Sequence, residues 1–258
     1  SGGELGLALR AGVPGSRIVF SGVGKTEEEI AAALRARILL FNVESLPELR
    51  AVARVARRLG RRAPVALRVN PHVDAHTHRY ITTGTSEMKF GIDWTVAELA
   101  FVEAARTPGI DLAGVHSHIG SQITSPGPFV AAARRINGLL DRLARRGIRL
   151  RIRNLGSGLG ISYRLGSPAL DPYELARALR PCLAGRPERI VMEPGRFVVG
   201  EAGALLARVL YVKRGVRKTF VIVDAGMDNL IRPALYEAHH AIAVVRPRLG
   251  PARAVDVV

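Results

Sequence analysis

Short apolar runs alternate with capped amphipathic stretches along this chain, and that rhythm restricts its fold more than any other feature. Residues 17–20 read as an apolar strand, and 26–36 follow as a helix opened by a Thr26/Glu29 capping box. Residues 38–41 form the next strand. Residues 45–59 form the next helix, with Ser45 as cap, Pro47 in the first turn and Gly60 as stop. The alternation continues through strands at 63–69, 112–116, 150–155 and 189–192 and helices at 95–105, 129–146 and 172–179. Strands that are apolar throughout, each followed by a helix, require a parallel sheet covered by its own crossovers. This many units in succession favour a (β/α)8 barrel of the TIM type over an open sheet.

Beyond residue 200 the rhythm changes. Residues 204–213 and 220–223 are strand-like with no helix between them, which predicts antiparallel pairing. The chain therefore divides into a barrel over 1–200 and the beginning of a β-rich domain over 201–258. Both ends look cut through structure, so the barrel is expected to lack its first strand or strands. A polar stretch at 70–91 is too long for a plain connector and reads as a functional loop.

Composition narrows the function classes. With 258 residues, 48% of them hydrophobic, the chain can build a sizeable core. It has no apolar run long enough to span a membrane and no signal pattern at its start. The single cysteine, Cys182, placed in a helix-to-strand connection, excludes an internal disulfide and fits a reducing, cytoplasmic compartment. The net charge of +16 raises the question of nucleic acid, but only four of the 38 basic residues are lysines. The arginines are spread along the chain, with small runs such as Arg57-Arg58 and Arg145-Arg146 late in predicted helices, and aromatics are 5% with no aromatic–basic interleaving. Solvated helix faces account for the charge, and neither nucleic acid nor a membrane is an expected partner.

The chemistry concentrates where strands end. Residues 193–196 read Glu-Pro-Gly-Arg directly after an apolar strand, so Glu193, Pro194, Gly195 and Arg196 fall at the carboxyl end of a barrel strand, where ligands bind. Residues 154–161 read Asn-Leu-Gly-Ser-Gly-Leu-Gly-Ile, a glycine turn after a strand that lets backbone N–H groups approach a phosphate. A carboxylate beside glycine amides suits a ligand with a basic ring nitrogen at one end and a phosphate at the other, as in pyridoxal phosphate. Glu193 could equally be a capping or salt-bridging carboxylate, with Arg196 as its partner.

Residues 115–122 place His116 and His118 two apart on a strand end, with Ser121 in the turn that follows. A zinc site would need a third ligand, which the neighbouring sequence does not offer, so no metal is expected. Histidines hydrogen-bonded at a strand end are one reading, and an imidazole stacked on a planar cofactor is the other. Further on, Arg232 and Tyr236 stand four apart, and an arginine fork can grip a carboxylate or simply face solvent. Gly22-Val23-Gly24-Lys25-Thr26 imitates the end of a P-loop but has Val19 where that motif begins with glycine. His239-His240 precedes an apolar strand and reads as loop or interface.

Taken in order, SGGEL at 1–5, SEMKFGI at 86–92, HSHIGSQI at 116–123, NLGSGLGI at 154–161, EPGR at 193–196 and DAGMDNLIRPALY at 224–236 cover the chain. Together they resemble the diaminopimelate decarboxylase branch of the alanine-racemase-like, fold-type III pyridoxal-phosphate decarboxylases. EPGR and HxGS are shared with ornithine and arginine decarboxylases; HSHIGSQI and NLIRPALY are narrower.

The resemblance implies a role for each matching residue. His118 would stack on the cofactor ring and Ser121 would bind its phosphate, with Gly158 and the backbone of Gly195 and Arg196 completing the cradle. Glu193 would face the pyridine nitrogen, and Arg196, Arg232 and Tyr236 would hold substrate. The implied reaction converts meso-2,6-diaminopimelate to L-lysine and carbon dioxide in a cytoplasmic homodimer. A sibling decarboxylase acting on ornithine, arginine or carboxynorspermidine, or a non-catalytic pyridoxal-phosphate module, are the alternatives.

The chain also departs from the family. The lysine that holds the cofactor covalently lies upstream of SGGEL, and the catalytic cysteine follows a strand like 255–258, so neither is expected within this chain. The segment alone is accordingly expected to show no turnover. Ser157 replaces a glycine usual in the family.

Overall fold

The computed structural model describes residues 1–73, 90–164, 166–247 and 253–258. Most of the predicted 70–91 loop and most of SEMKFGI, with Lys89, lie outside the described residues. Two compact units are distinguished: residues 1–160 with 169–197, and residues 161–168 with 198–258. Residues 161–168, assigned to the barrel by sequence, thus cluster with the second unit.

The first unit opens with α1 (Gly2–Arg10), β1 (Val19–Phe20), α2 (Glu27–Arg35), β2 (Leu40–Val43), α3 (Leu46–Arg58) and β3 (Ala63–Arg68). It continues with α4 (Ala97–Arg106), β4 (Ile110–His116), α5 (Gly127–Arg145), β5 (Ile152–Asn154), α6 (Pro172–Leu183) and β6 (Arg189–Val191). The short α7 (Gly195–Val199) follows, its first three residues in this unit. The local signals act as their chemistry dictates. Thr26 accepts from the Glu29 amide while the Glu29 carboxylate accepts from the Thr26 amide, and Ser45 caps α3 above Pro47.

Three expectations are corrected. A helix, α1, occupies the start of the chain, where only a motif was read. Its Ser1/Glu4 capping box was present in the sequence. Cys182 lies inside α6 and is buried, because the helix runs through Pro181 to Leu183 and carries its apolar face further than the sequence reading allowed. Val19–Phe20 is all that remains of the first predicted strand, since residues 15–17 tighten into a 3₁₀ turn.

All six strands are parallel and lie in sequence order, β1 to β6. An open sheet of that order would separate its outer strands by about 24 Å, five gaps of about 4.8 Å. Instead, the Ser21 hydroxyl just past β1 lies 3.5 Å from the Glu193 carboxylate just past β6. The sheet therefore curls, and the unit is an incomplete barrel of the TIM type. Its interior is a small cluster drawn from every strand, including Val19, Leu40, Ala66, Ala113, Ile152 and Val191. A larger core fills the space between strands and outer helices, with Phe41, Val65 and Leu67 against Leu49, Phe101 and Leu139. Burial of these apolar side chains drives the assembly, each fully buried one contributing roughly 1.5–3 kcal/mol.

Arg50 and Arg54 of α3 do lie on a solvated helix face, paired with Glu103 and Glu27, whereas Arg186 reaches Asp141 of α5 from the turn after α6. Arg68 and Arg153, by contrast, are both buried at strand positions. The Arg153 guanidinium donates to the Asn137 side-chain oxygen and the Ala133 carbonyl, both at 2.6 Å, which anchors β5 to α5.

In the second unit β7 (Val209–Arg214) pairs antiparallel with β8 (Thr219–Val223), and β8 pairs parallel with β9 (Asp256–Val257). The short α8 (Arg232–Tyr236) carries the two residues singled out from the sequence. The strand expected after His239-His240 is absent, and residues 241–244 take no regular structure. Among the described residues, no helix is long and apolar enough to cross a membrane.

Candidate active site

Every strand of the barrel delivers a polar residue at or just past its carboxyl end: Ser21, Asn42 and Glu44, Arg68, His116, Asn154 and Glu193. The centre of this ring is Glu193. Its Oε1 accepts from the Asn154 side-chain amide at 2.7 Å, from the Asn42 side-chain amide at 2.8 Å and from the Ser21 hydroxyl at 3.5 Å. The salt bridge to Arg196 considered from the sequence is replaced by this neutral grip, because the curl of the sheet brings the β2 and β5 amides onto the carboxylate. The Arg196 guanidinium donates to the Gln122 side-chain oxygen at 3.0 Å.

The other oxygen, Oε2, lies 4.0 Å from His116 Nε2, its only ion-pair neighbour among the described residues. Burial, with the positive charge of Arg68 second, holds the His116 pKa well below the ordinary imidazole value, so this ring is neutral. Both its nitrogens are buried without a hydrogen-bond partner. Among the described residues, Arg68 and Lys25 on the same face are spent elsewhere. The Arg68 guanidinium donates to Glu44 Oε1 at 2.8 Å, and the Lys25 ammonium donates to Glu48 Oε1 at 2.6 Å. Lys25 also donates to the carbonyls of Gly22 at 2.6 Å and Asn42 at 2.8 Å. The lysine of the apparent P-loop is thus a buried strut, its three protons all engaged.

Two loops form the opposite pole. The turn after β4 and the glycine turn after β5 are joined where the Ile123 amide donates to the Gly158 carbonyl at 2.8 Å and the Gly160 amide to the Ile123 carbonyl at 2.9 Å. This close approach explains the glycines. Gly156 has φ +62° and a Cβ there would meet the Ser117 carbonyl at 2.4 Å; Gly158 has φ +127° and a Cβ would meet the Gly120 carbonyl at 2.2 Å. Ser157 between them stands outside the left-handed region and is buried, so its Cβ is tolerated. Its amide donates to His118 Nδ1 at 3.3 Å, which orients the imidazole. Burial lowers the His118 pKa to about 4, with Arg68 again the second cause.

Among the described residues the amides of Ser121 and Gly158 have no partner, and neither has the Ser121 hydroxyl. The Gly195 amide, by contrast, donates to the Glu193 carbonyl at 2.8 Å, which removes one of the expected cradle donors. The two poles are wired together. Asn154 donates to Glu193 while its oxygen accepts from the Gly156 amide at 2.9 Å, and the Glu193 amide donates to the Gly156 carbonyl at 2.7 Å.

Arg232 and Tyr236 belong to the second unit. The Arg232 guanidinium lies over the Tyr163 ring at 4.7 Å and donates to His240 Nε2 at 3.0 Å, while Tyr236 ends α8 one turn later. Arg232 is therefore held within its unit rather than free in solvent. Among the described residues no group of three His, Cys, Asp or Glu side chains is placed to hold a metal ion.

A barrel whose strand ends pair an uncompensated carboxylate with a glycine-lined amide pole has the architecture of a cofactor enzyme, and the chain belongs to the pyridoxal-dependent decarboxylases. Its residues 1–200 match that family's pyridoxal binding domain. Among individual proteins it is similar to diaminopimelate decarboxylase. It shares 49% identity with the Pseudomonas aeruginosa protein over all of this chain and 62% of that one. The crystal structure of diaminopimelate decarboxylase from Helicobacter pylori complexed with L-lysine superposes with a TM-score of 0.89 at 42% identity, covering 96% of this chain and 62% of that one. The corresponding protein from M. jannaschii gives 0.83 at 39% identity, covering 93% of this chain and 57% of that one. The chain thus spans about 62% of the length of the curated relatives it matches.

Ser21, Asn42 and Asn154 were not anticipated as functional. A polar residue ending an otherwise apolar strand was the available signal, present at Asn42 and at Asn154.

Proposed function

We propose that this chain forms the pyridoxal-phosphate-binding part of an enzyme that decarboxylates meso-2,6-diaminopimelate to L-lysine and carbon dioxide. The observation that carries the cofactor assignment is the state of Glu193. Its carboxylate is 32% exposed and one oxygen is saturated by neutral donors, while the other faces a neutral imidazole and has no cation in bonding reach among the described residues. A half-buried anion built this way calls for a cationic partner, and a protonated pyridine nitrogen supplies one. The unpartnered amide and hydroxyl of Ser121, and the unpartnered amide of Gly158 where a Cβ would not fit, suit the phosphate at the other end.

Bound pyridoxal phosphate supplies the electron sink for the charge left when carbon dioxide departs. The chain's own residues serve that chemistry in distinct ways. Glu193 holds the proton on the ring nitrogen. His118, kept neutral by burial, lies against the ring without repelling a cationic heterocycle. Arg196, oriented by Gln122, is assigned to a substrate carboxylate. Arg232 and Tyr236 are assigned to substrate on the family resemblance alone, and so are the homodimer and the cytoplasmic location. The 49% identity to diaminopimelate decarboxylase supports the choice of substrate.

The test is to express the complete reading frame containing this chain, add pyridoxal phosphate, and follow carbon dioxide and lysine release from meso-diaminopimelate. Turnover of diaminopimelate with no comparable turnover of ornithine or arginine is expected. Preference for ornithine or arginine, or cofactor binding with no turnover of any amino acid, overturns the assignment.

A further inference from the structure

The grip on Glu193 has an asymmetry that the cofactor assignment does not use. Asn42, Asn154 and Ser21 all spend a hydrogen bond on the same oxygen, Oε1, and none on Oε2. Both amides are buried and stand on strands, so they are fixed by the sheet rather than by loops. Each is held again from behind. The Asn42 side-chain amide also donates to the Ser21 hydroxyl at 2.8 Å, and the Asn42 carbonyl takes a proton of the Lys25 ammonium. The Asn154 side-chain oxygen is occupied by the Gly156 amide. Exchanging the two Glu193 oxygens would mean breaking bonds to two strands at once.

We propose that Ser21, Asn42 and Asn154 are positioning residues that hold Glu193 Oε1 and present Oε2 alone to the cationic ring nitrogen of the cofactor, doing so without adding a charge. The inference rests on the reading of Glu193 as the ring nitrogen's partner. Neutrality is its second half. A lysine or arginine at any of the three positions would satisfy the carboxylate in place of the ligand, and the two buried cations nearby are each confined to a carboxylate of their own, Lys25 to Glu48 and Arg68 to Glu44. The Glu193 charge is thereby reserved for the ligand. A charge-assisted hydrogen bond from a fixed amide is worth enough to matter, since losing one costs about tenfold or more in an equilibrium it controls.

The experiment uses the protein from the complete reading frame, titrated with pyridoxal phosphate. Cofactor affinity and the pH titration of the bound cofactor's absorbance are read for Asn42→Ala, Asn154→Ala, Ser21→Ala and Glu193→Gln, and for each cage variant combined with Glu193→Gln. Glu193→Gln is expected to weaken binding and to lower the pH at which the bound chromophore titrates. If it changes neither, the reading of Glu193 itself fails. Given that effect, Asn42→Ala and Asn154→Ala are each expected to weaken binding about tenfold and to move the titration in the same direction. In the Glu193→Gln background they should add no further loss, because they act through that carboxylate. Losses that persist in that background, or cage variants that bind and titrate as the parent does, overturn the positioning role. Should either asparagine variant fail to fold, Ser21→Ala decides. A several-fold loss that vanishes with Glu193→Gln supports the cage, and no loss overturns it.

Discussion

Acidification from about pH 7 to about pH 5 should destabilise the barrel through His116 and His118, and the size of the effect follows from their burial. In the unfolded chain an imidazole takes up a proton near pH 6.5. In the fold, burial lowers His118 to about 4 and His116 well below its ordinary value, and the Arg68 charge adds to both. The folded state therefore binds fewer protons than the unfolded state throughout that range. Stability from this source is complete above the unfolded value and is lost progressively as the pH falls toward the folded one. Integrated over those two pH units, one fully desolvated histidine contributes about 1.8 kcal/mol. His118 keeps part of its surface open to water, so its share is about 1 kcal/mol and the pair amounts to about 3 kcal/mol.

Among the other groups, the His240 imidazole, lowered by burial and then by the Arg232 charge, adds a slope of the same sign. The carboxylates of Glu27, Glu98 and Asp141, lowered by hydrogen bonds to arginine, titrate beneath this window. Glu48, raised by burial, gives a slope of the opposite sign. Urea unfolding followed by far-UV circular dichroism at matched ionic strength measures the slope. His116→Gln and His118→Gln should each flatten it and the double variant should remove most of it. A parent stability that is level over this range, or a slope undiminished by both substitutions, would show that the two imidazoles are hydrated in the fold.

Three further substitutions probe separate parts of the molecule. Gly158→Ala places a Cβ 2.2 Å from the Gly120 carbonyl at a φ of +127°. It should cost about 2–4 kcal/mol of stability and more than tenfold in pyridoxal-phosphate affinity, whereas a variant that melts and binds like the parent would remove the glycine turn from the site. Lys25→Met leaves Glu48 buried without its partner and should destabilise by about 3–5 kcal/mol, most of it recovered by adding Glu48→Leu; a loss below about 1 kcal/mol in the single variant contradicts the buried strut. In the second unit, His240→Ala removes the acceptor that holds the Arg232 guanidinium. In the complete enzyme it should raise KM for diaminopimelate several-fold with kcat little changed, and an unaltered KM would show that the Tyr163–His240 frame has no part in substrate binding.

How far the fold and site could be read from sequence depended on the range of the interactions involved. The capping box of α2, the Ser45 cap of α3 and the glycine turn after β5 are each written within a few residues. The alternation of strands and helices is also local, and six parallel strands follow from it once crossover handedness and burial are considered. Where local cues were ambiguous the reading slipped by a turn, as at β1, or missed a helix whose capping box was nonetheless present, as at α1. Glu193 was identifiable because it ends a strand beside a proline and a glycine. Its partners were not, since Asn154, Asn42 and Ser21 stand 39, 151 and 172 residues away in sequence. Nothing about an asparagine at a strand end announces which strand it will face. That information exists only after the sheet has curled, and the curl is decided by the small apolar cluster inside the barrel, where Ala66 and Ala113 leave room for Leu40 and Ile152. A substitution that enlarged either alanine would thus reach the cofactor site without touching it, by changing how closely β2 and β5 bring their amides to one carboxylate oxygen.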